Sequence, residues 1–89
     1  MKTFQLYIGS NNDTHKLETR KISKIVSQSF QGFTIYKGIG YWQGKQENTA
    51  IVTIATMEIS TVKSLAQELR DSLHQEAVMV VQVGNALFV

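Results

Sequence analysis

Thr49-Ala50-Ile51-Val52-Thr53-Ile54-Ala55-Thr56 is the stretch that decides the fold. Its β-branched residues favour an extended, pleated chain, so it reads as a strand. Successive side chains of a strand point to opposite faces. Ala50, Val52 and Ile54 therefore share one face, and Ile51, Thr53 and Ala55 share the other. A strand that is apolar on both sides needs cover on both sides.

Toward the C-terminus, Ser60 or Thr61 is placed to cap a helix. Val62, Leu65, Ala66, Leu69 and Leu73 then recur at helical spacing and form one apolar stripe. Ala77 to Val83 reads as another two-sided strand, with Val78 and Val80 on one face and Met79, Val81 and Val83 on the other. Gly84-Asn85 fits a two-residue hairpin turn, which makes Ala86 to Val89 a short terminal strand.

Toward the N-terminus lies Gly38-Ile39-Gly40-Tyr41-Trp42-Gln43-Gly44-Lys45-Gln46-Glu47, which reads as a glycine-shaped loop between strands. Phe33 to Lys37 is the strand before it. Ile22, Ile25, Val26 and Phe30 give helical spacing over Leu17 to Phe30, with Gly32 as the C-cap. Gly9 to Thr14 is rich in turn residues. Thr3 to Ile8 alternates, with Phe4, Leu6 and Ile8 on the inner side.

The order is β-α-β-β-α-β with a C-terminal β-hairpin extension, all in one α+β domain over residues 1–89. It predicts a ferredoxin-like arrangement, an antiparallel sheet with both helices on one face. The other face then needs cover, and self-association supplies it while helping a domain of 89 residues. Val78 and Val80, with Glu76 at the rim, are the expected interface residues.

Composition narrows the chemistry. The chain has no Cys, which excludes disulfides, thiolate metal sites and Cys nucleophiles. His15 and His74 are too far apart in sequence for a convincing zinc site, so no metal and no cofactor are expected. Nine Lys/Arg against seven Asp/Glu is a mild balance. Lys16, Arg20, Lys21 and Lys24 cluster, but a solvated helix face explains them. An RNA-recognition sheet needs stacking aromatics on its middle strands. The first strand offers Phe4 and Tyr7 and the third offers none, so nucleic acid is not the expected partner. No apolar run approaches the ~20 residues of a membrane span, and no signal peptide opens the chain. The cytoplasm is the simplest location.

The glycine loop carries the usable chemistry. Its Gly38-x-Gly40-x-x-x-Gly44 spacing joins two strands instead of opening a helix, so it is not a dinucleotide fingerprint. Gly44-Lys45 is followed by Gln46, so it is not a phosphate loop. Tyr41 offers a hydroxyl, Glu47 a carboxylate and Trp42 a large flat surface.

The whole arrangement resembles PII-like signalling proteins, which are trimers of ferredoxin-like subunits that bind small effectors between subunits. The resemblance implies a homotrimer with intersubunit clefts. Where PII proteins have a glycine-rich ATP loop, this chain has Met57-Glu58-Ile59-Ser60, so ATP binding in that manner is not implied. Residues 33 to 83 are also similar to the phage-encoded S-adenosylmethionine lyases, formerly called hydrolases. The similarity rests on Gly40 and Tyr41 followed by Glu47, and on His74-Gln75-Glu76-Ala77-Val78-Met79-Val80. It implies that Tyr41 and Glu47 hold the substrate at a subunit interface and that Glu76 supports that interface. In that family the substrate's own carboxylate expels methylthioadenosine, giving homoserine lactone.

Three functional expectations follow. One is a small-molecule binder whose ligand, such as an adenosine compound, sits among Gly40, Tyr41, Trp42 and Glu47. The second is an S-adenosylmethionine lyase at the same place. The third is a protein-interaction module anchored by an exposed Trp42 with no pocket beside it.

Overall fold

A computed structural model describes residues 1–89. It contains β1 (Lys2–Ile8), α1 (Thr19–Ser27), β2 (Thr34–Trp42), β3 (Lys45–Thr56), α2 (Ile59–Ser72) and β4 (Met79–Asn85). The sheet order is β2-β3-β1-β4, and every neighbouring pair is antiparallel. This is the ferredoxin-like βαββαβ arrangement that the sequence predicts.

The core follows from the alternation in β1 and β3. Phe4 pairs with Ile54, Leu6 with Val52 and Ile8 with Ala50, so both strands turn the same apolar set to one face. Ile22, Ile25 and Val26 of α1 and Val62, Leu65, Ala66 and Leu69 of α2 close over it. Leu65, Leu69 and Leu73 are all fully buried, as the stripe requires. Burying a side chain of that size stabilises by roughly 1.5–3 kcal/mol.

Several boundaries move. α1 is shorter than Leu17 to Phe30, although both of those residues still pack against the core. Gly32 is not its C-cap. The helix ends at Gln28 in ordinary right-handed geometry, and Ser29 and Phe30 N–H donate to the Val26 carbonyl. α2 starts ahead of Ser60 and Thr61, with Glu58 at the N-cap. The Thr61 hydroxyl instead donates to Glu58 Oε2 at 3.2 Å, and Glu58 N–H donates to Thr56 Oγ1 at 3.1 Å.

The terminal hairpin does not form. β4 runs through Gly84 and Asn85, which stay paired with Thr3 and Lys2 of β1. Ala86 N–H continues the pairing to the Met1 carbonyl at 2.7 Å. A register shift between Thr3 and Phe4 absorbs the extra residue. Turning back at Gly84-Asn85 would give up these bonds to make an edge strand of only about four residues, short for a strand.

The larger correction concerns residues 38–47. They are a continuous β-ribbon: β2 runs to Trp42, β3 starts at Lys45, and only Gln43 and Gly44 turn. Gln43 at φ 51° and Gly44 at φ 77° make the primed two-residue turn that matches the twist of a hairpin. β3 has twelve residues. At ~3.3 Å per residue it spans about 40 Å, and the long axis of the molecule is 39 Å. β1 pairs with it only up to Ala50, so residues 45–49 project beyond the rest of the sheet with one edge unpaired by any strand.

Candidate functional site

The ribbon turns one face toward the open side of the sheet, away from the helices. Gly40 pairs with Glu47, and Trp42 with Lys45, on that face. Tyr41 pairs with Gln46 and stands on the opposite face, where its hydroxyl donates to Gln46 Oε1 at 3.4 Å. Tyr41 and Glu47 therefore stand on opposite faces of the ribbon, yet both line one cavity at its tip. Two-residue alternation separates them, and Trp42 takes the place beside Glu47.

A cavity of about 480 Å³ lies on this face. Gly40, Trp42, Glu47 and Thr49 line it from the ribbon, and Tyr7 and Gly9 from β1 and the residue after it. Gln75, Glu76 and Met79 form the far wall, and Tyr41 lines the cavity as well. The Gln75 side chain donates to the Ser10 carbonyl and ties that wall to the loop after β1.

Close approach explains two of the glycines. A Cβ on Gly40 would collide with Thr49 Oγ1. A Cβ on Gly9 would lie 2.5 Å from Glu47 Oε1, so the Glu47 carboxylate rests on bare backbone. The two ion pairs of the molecule are Arg70–Asp71 and His74–Asp13, and no side-chain hydrogen bond reaches Glu47 either. A half-buried carboxylate is thus held in the cavity with no partner from its own chain.

The rest of the open face is apolar with a polar tie across it. Ile51 is only 7% exposed although no helix covers it. Tyr7 and Tyr36 flank it in the pairing register. The Tyr7 hydroxyl donates to Gln5 Oε1 at 2.8 Å, and Gln5 Nε2 donates to the Tyr36 hydroxyl at 2.9 Å. Met79 and Trp42 remain about half exposed. Val78 instead packs against the subunit's own core, and Val80 lies opposite Leu6 on the helix side. The open-face residues of β4 are thus Met79 and Val81, one position along from the pair expected at an interface. Glu76 is exposed at the cavity wall. Phe4 is spent in the core, which removes it from any stacking platform.

Sequence reasoning missed Tyr7, Gly9 and Thr49. Their signal was the open-face alternation of β1 and β3, which becomes readable once the register is known. No group of three His, Asp or Glu side chains is close enough to hold a metal ion. No helix is long and apolar enough to cross a membrane.

Among the solved structures similar to this chain are two with informative overlap. A phage SAM lyase in its apo state matches with a TM-score of 0.68 at 18% identity, over 99% of this chain and 92% of that one. CutA1 from Oryza sativa matches with a TM-score of 0.57 at 13% identity, over 100% and 84%. At these identities the likeness is one of fold. No family model matches the chain, and no curated protein matches its sequence.

Proposed function

We propose that this chain is a small-molecule-binding subunit of a homo-oligomer, a trimer of PII-like form, and that its ligand is an adenosine compound carrying positive charge. The ligand occupies the cavity at Glu47, and a neighbouring subunit laid on the open sheet face closes it. The observation that supports this most is the Glu47 carboxylate, half-buried over Gly9 and unpartnered, with Trp42 and Tyr7 beside it. A cation satisfies the carboxylate, and a flat heterocycle stacks on the aromatic surfaces. S-adenosylmethionine has both parts in one molecule. The exposed Met79 and Trp42 give a second subunit apolar surface to cover. The setting we infer for this chemistry is the cytoplasm.

A second reading makes the same site a lyase. Its support is the fold shared with a phage SAM lyase, together with the cation-suited cavity. In that reaction the substrate's carboxylate oxygen attacks its own γ-carbon and closes a lactone. The carbon–sulfur bond breaks, and its electron pair leaves with sulfur as neutral methylthioadenosine. No proton moves, so the protein needs only to hold the substrate in the folded-back shape and exclude water. Trp42 as a protein anchor is the weaker reading, because an open cavity lies beside it.

Calorimetry with S-adenosylmethionine on wild type and Glu47→Gln tests the site. Loss of a charge-assisted hydrogen bond should cost ~1.5–3 kcal/mol, roughly ten- to a hundredfold in affinity. Equal binding by both proteins, or none at millimolar ligand, refutes the assignment. Chromatography of the incubated ligand then separates a binder from a lyase: intact ligand means binder, methylthioadenosine with homoserine lactone means lyase.

A further inference from the structure

A second cavity, of about 260 Å³, adjoins the first and shares Glu47 and Asn12 with it. It lies between the loop after β1 and the unpaired edge of the ribbon at residues 46–48. The two differ in chemistry. The first holds Trp42, Tyr7 and Met79, whereas no hydrophobic residue lines the second.

Within the second cavity, some polar groups are spent and others are free. Asn11 is consumed by the loop: its Oδ1 accepts from Asp13 and Thr14 N–H, and its Nδ2 donates to Glu18. The Ser10 hydroxyl donates to the Asn48 carbonyl at 3.1 Å, which pins the loop to the ribbon edge. Asn12, His15 and Asn48 are left, and none of their side chains bonds within the chain. His15 is held at φ 59°, an uncommon conformation for a residue with a β-carbon.

We infer that the two cavities form one bipartite site for a two-ended ligand, a nucleoside joined to a zwitterionic amino-acid tail. This rests on the ligand class proposed above and assigns its parts. The base and ribose occupy the aromatic cavity. The tail, with its ammonium and carboxylate, occupies the polar cavity and is read by Asn12, His15 and Asn48. Glu47 stands at the junction, where a cationic linking atom meets it. An ionic tail placed in an apolar recess would lose its hydration without replacement. The polar cavity replaces it with amide and imidazole groups.

S-adenosylhomocysteine and methylthioadenosine make the test, since both have neutral sulfur and only the first has the tail. Wild type should bind S-adenosylhomocysteine at least tenfold more tightly than methylthioadenosine. Asn48→Ala and His15→Asn should each reduce that preference about three- to tenfold, with methylthioadenosine affinity unchanged. Asparagine suits position 15 because it tolerates positive φ, and melting temperature checks that each variant folds. Equal binding of the two ligands by wild type, or equal loss of both in the variants, overturns the bipartite site while leaving the aromatic cavity standing. Failure of S-adenosylmethionine, S-adenosylhomocysteine and methylthioadenosine alike overturns both readings.

Discussion

The Glu47 carboxylate lies on the α-carbon of Gly9, so close that a methyl group there would sit 2.5 Å from Oε1. Gly9 is not in a left-handed conformation, so alanine fits its backbone. What alanine cannot do is share the space with Glu47. The end of a glutamate side chain moves cheaply, so the carboxylate relocates while the fold stays.

That separation gives the first prediction. Gly9→Ala should change unfolding free energy by less than ~1 kcal/mol, since reduced freedom of the unfolded chain offsets the displacement. Its affinity for S-adenosylmethionine should fall as far as that of Glu47→Gln. Thermal melting and calorimetry on the same samples read the two quantities. Unchanged affinity would take Glu47 out of ligand contact.

Leu69 is completely buried at the centre of the stripe on α2. Leu69→Ala should destabilise the protein by ~2–5 kcal/mol, read as a lower denaturant midpoint. A loss under ~1 kcal/mol would mean that the surrounding core collapses into the space or that the stripe does little.

Sedimentation at micromolar concentration should give a trimer. Met79→Glu puts a charge on the open sheet face and should yield a folded monomer, with unchanged circular dichroism. Val80→Glu, one residue on and facing the helix side, is the control and should leave the assembly intact. If Val80→Glu dissociates it and Met79→Glu does not, the covered surface is not the open face.

Trp42 is the one tryptophan of the chain and is 54% exposed. Ligand stacked on it should shift its fluorescence to shorter wavelength, saturating at the calorimetric dissociation constant. Trp42→Ala should weaken binding by ~1–3 kcal/mol, the worth of one base stacked on one aromatic ring. A saturated site with unchanged emission would place Trp42 outside it.

The order of elements was legible because the strongest signals are local. The two-sided strand at Thr49 to Thr56 and the leucine stripe at Val62 to Leu73 each declare a period. The ribbon is not legible from the sequence because Gly38 and Gly40 have turn chemistry, yet both sit in a strand. They are small for lateral reasons, against Ile51 and Thr49 of the next strand, and lateral neighbours depend on register. The same ambiguity put Tyr41 beside Glu47. Alternation sets the two on opposite faces of the ribbon, although both line the cavity at its tip. The terminal hairpin failed for a related reason: Gly84-Asn85 has turn chemistry, but β1 extends far enough to keep it in the ladder.

The projecting ribbon has a consequence for how such a protein can vary. None of residues 38–48 belongs to the buried core cluster. Most side chains placed to meet the proposed ligand are therefore not those that keep the chain folded. Substitutions at the ribbon tip can alter what is bound at little cost in stability, and the core can be repacked without disturbing selectivity. If the proposed site holds, a lineage built on this plan changes its ligand by revising a hairpin.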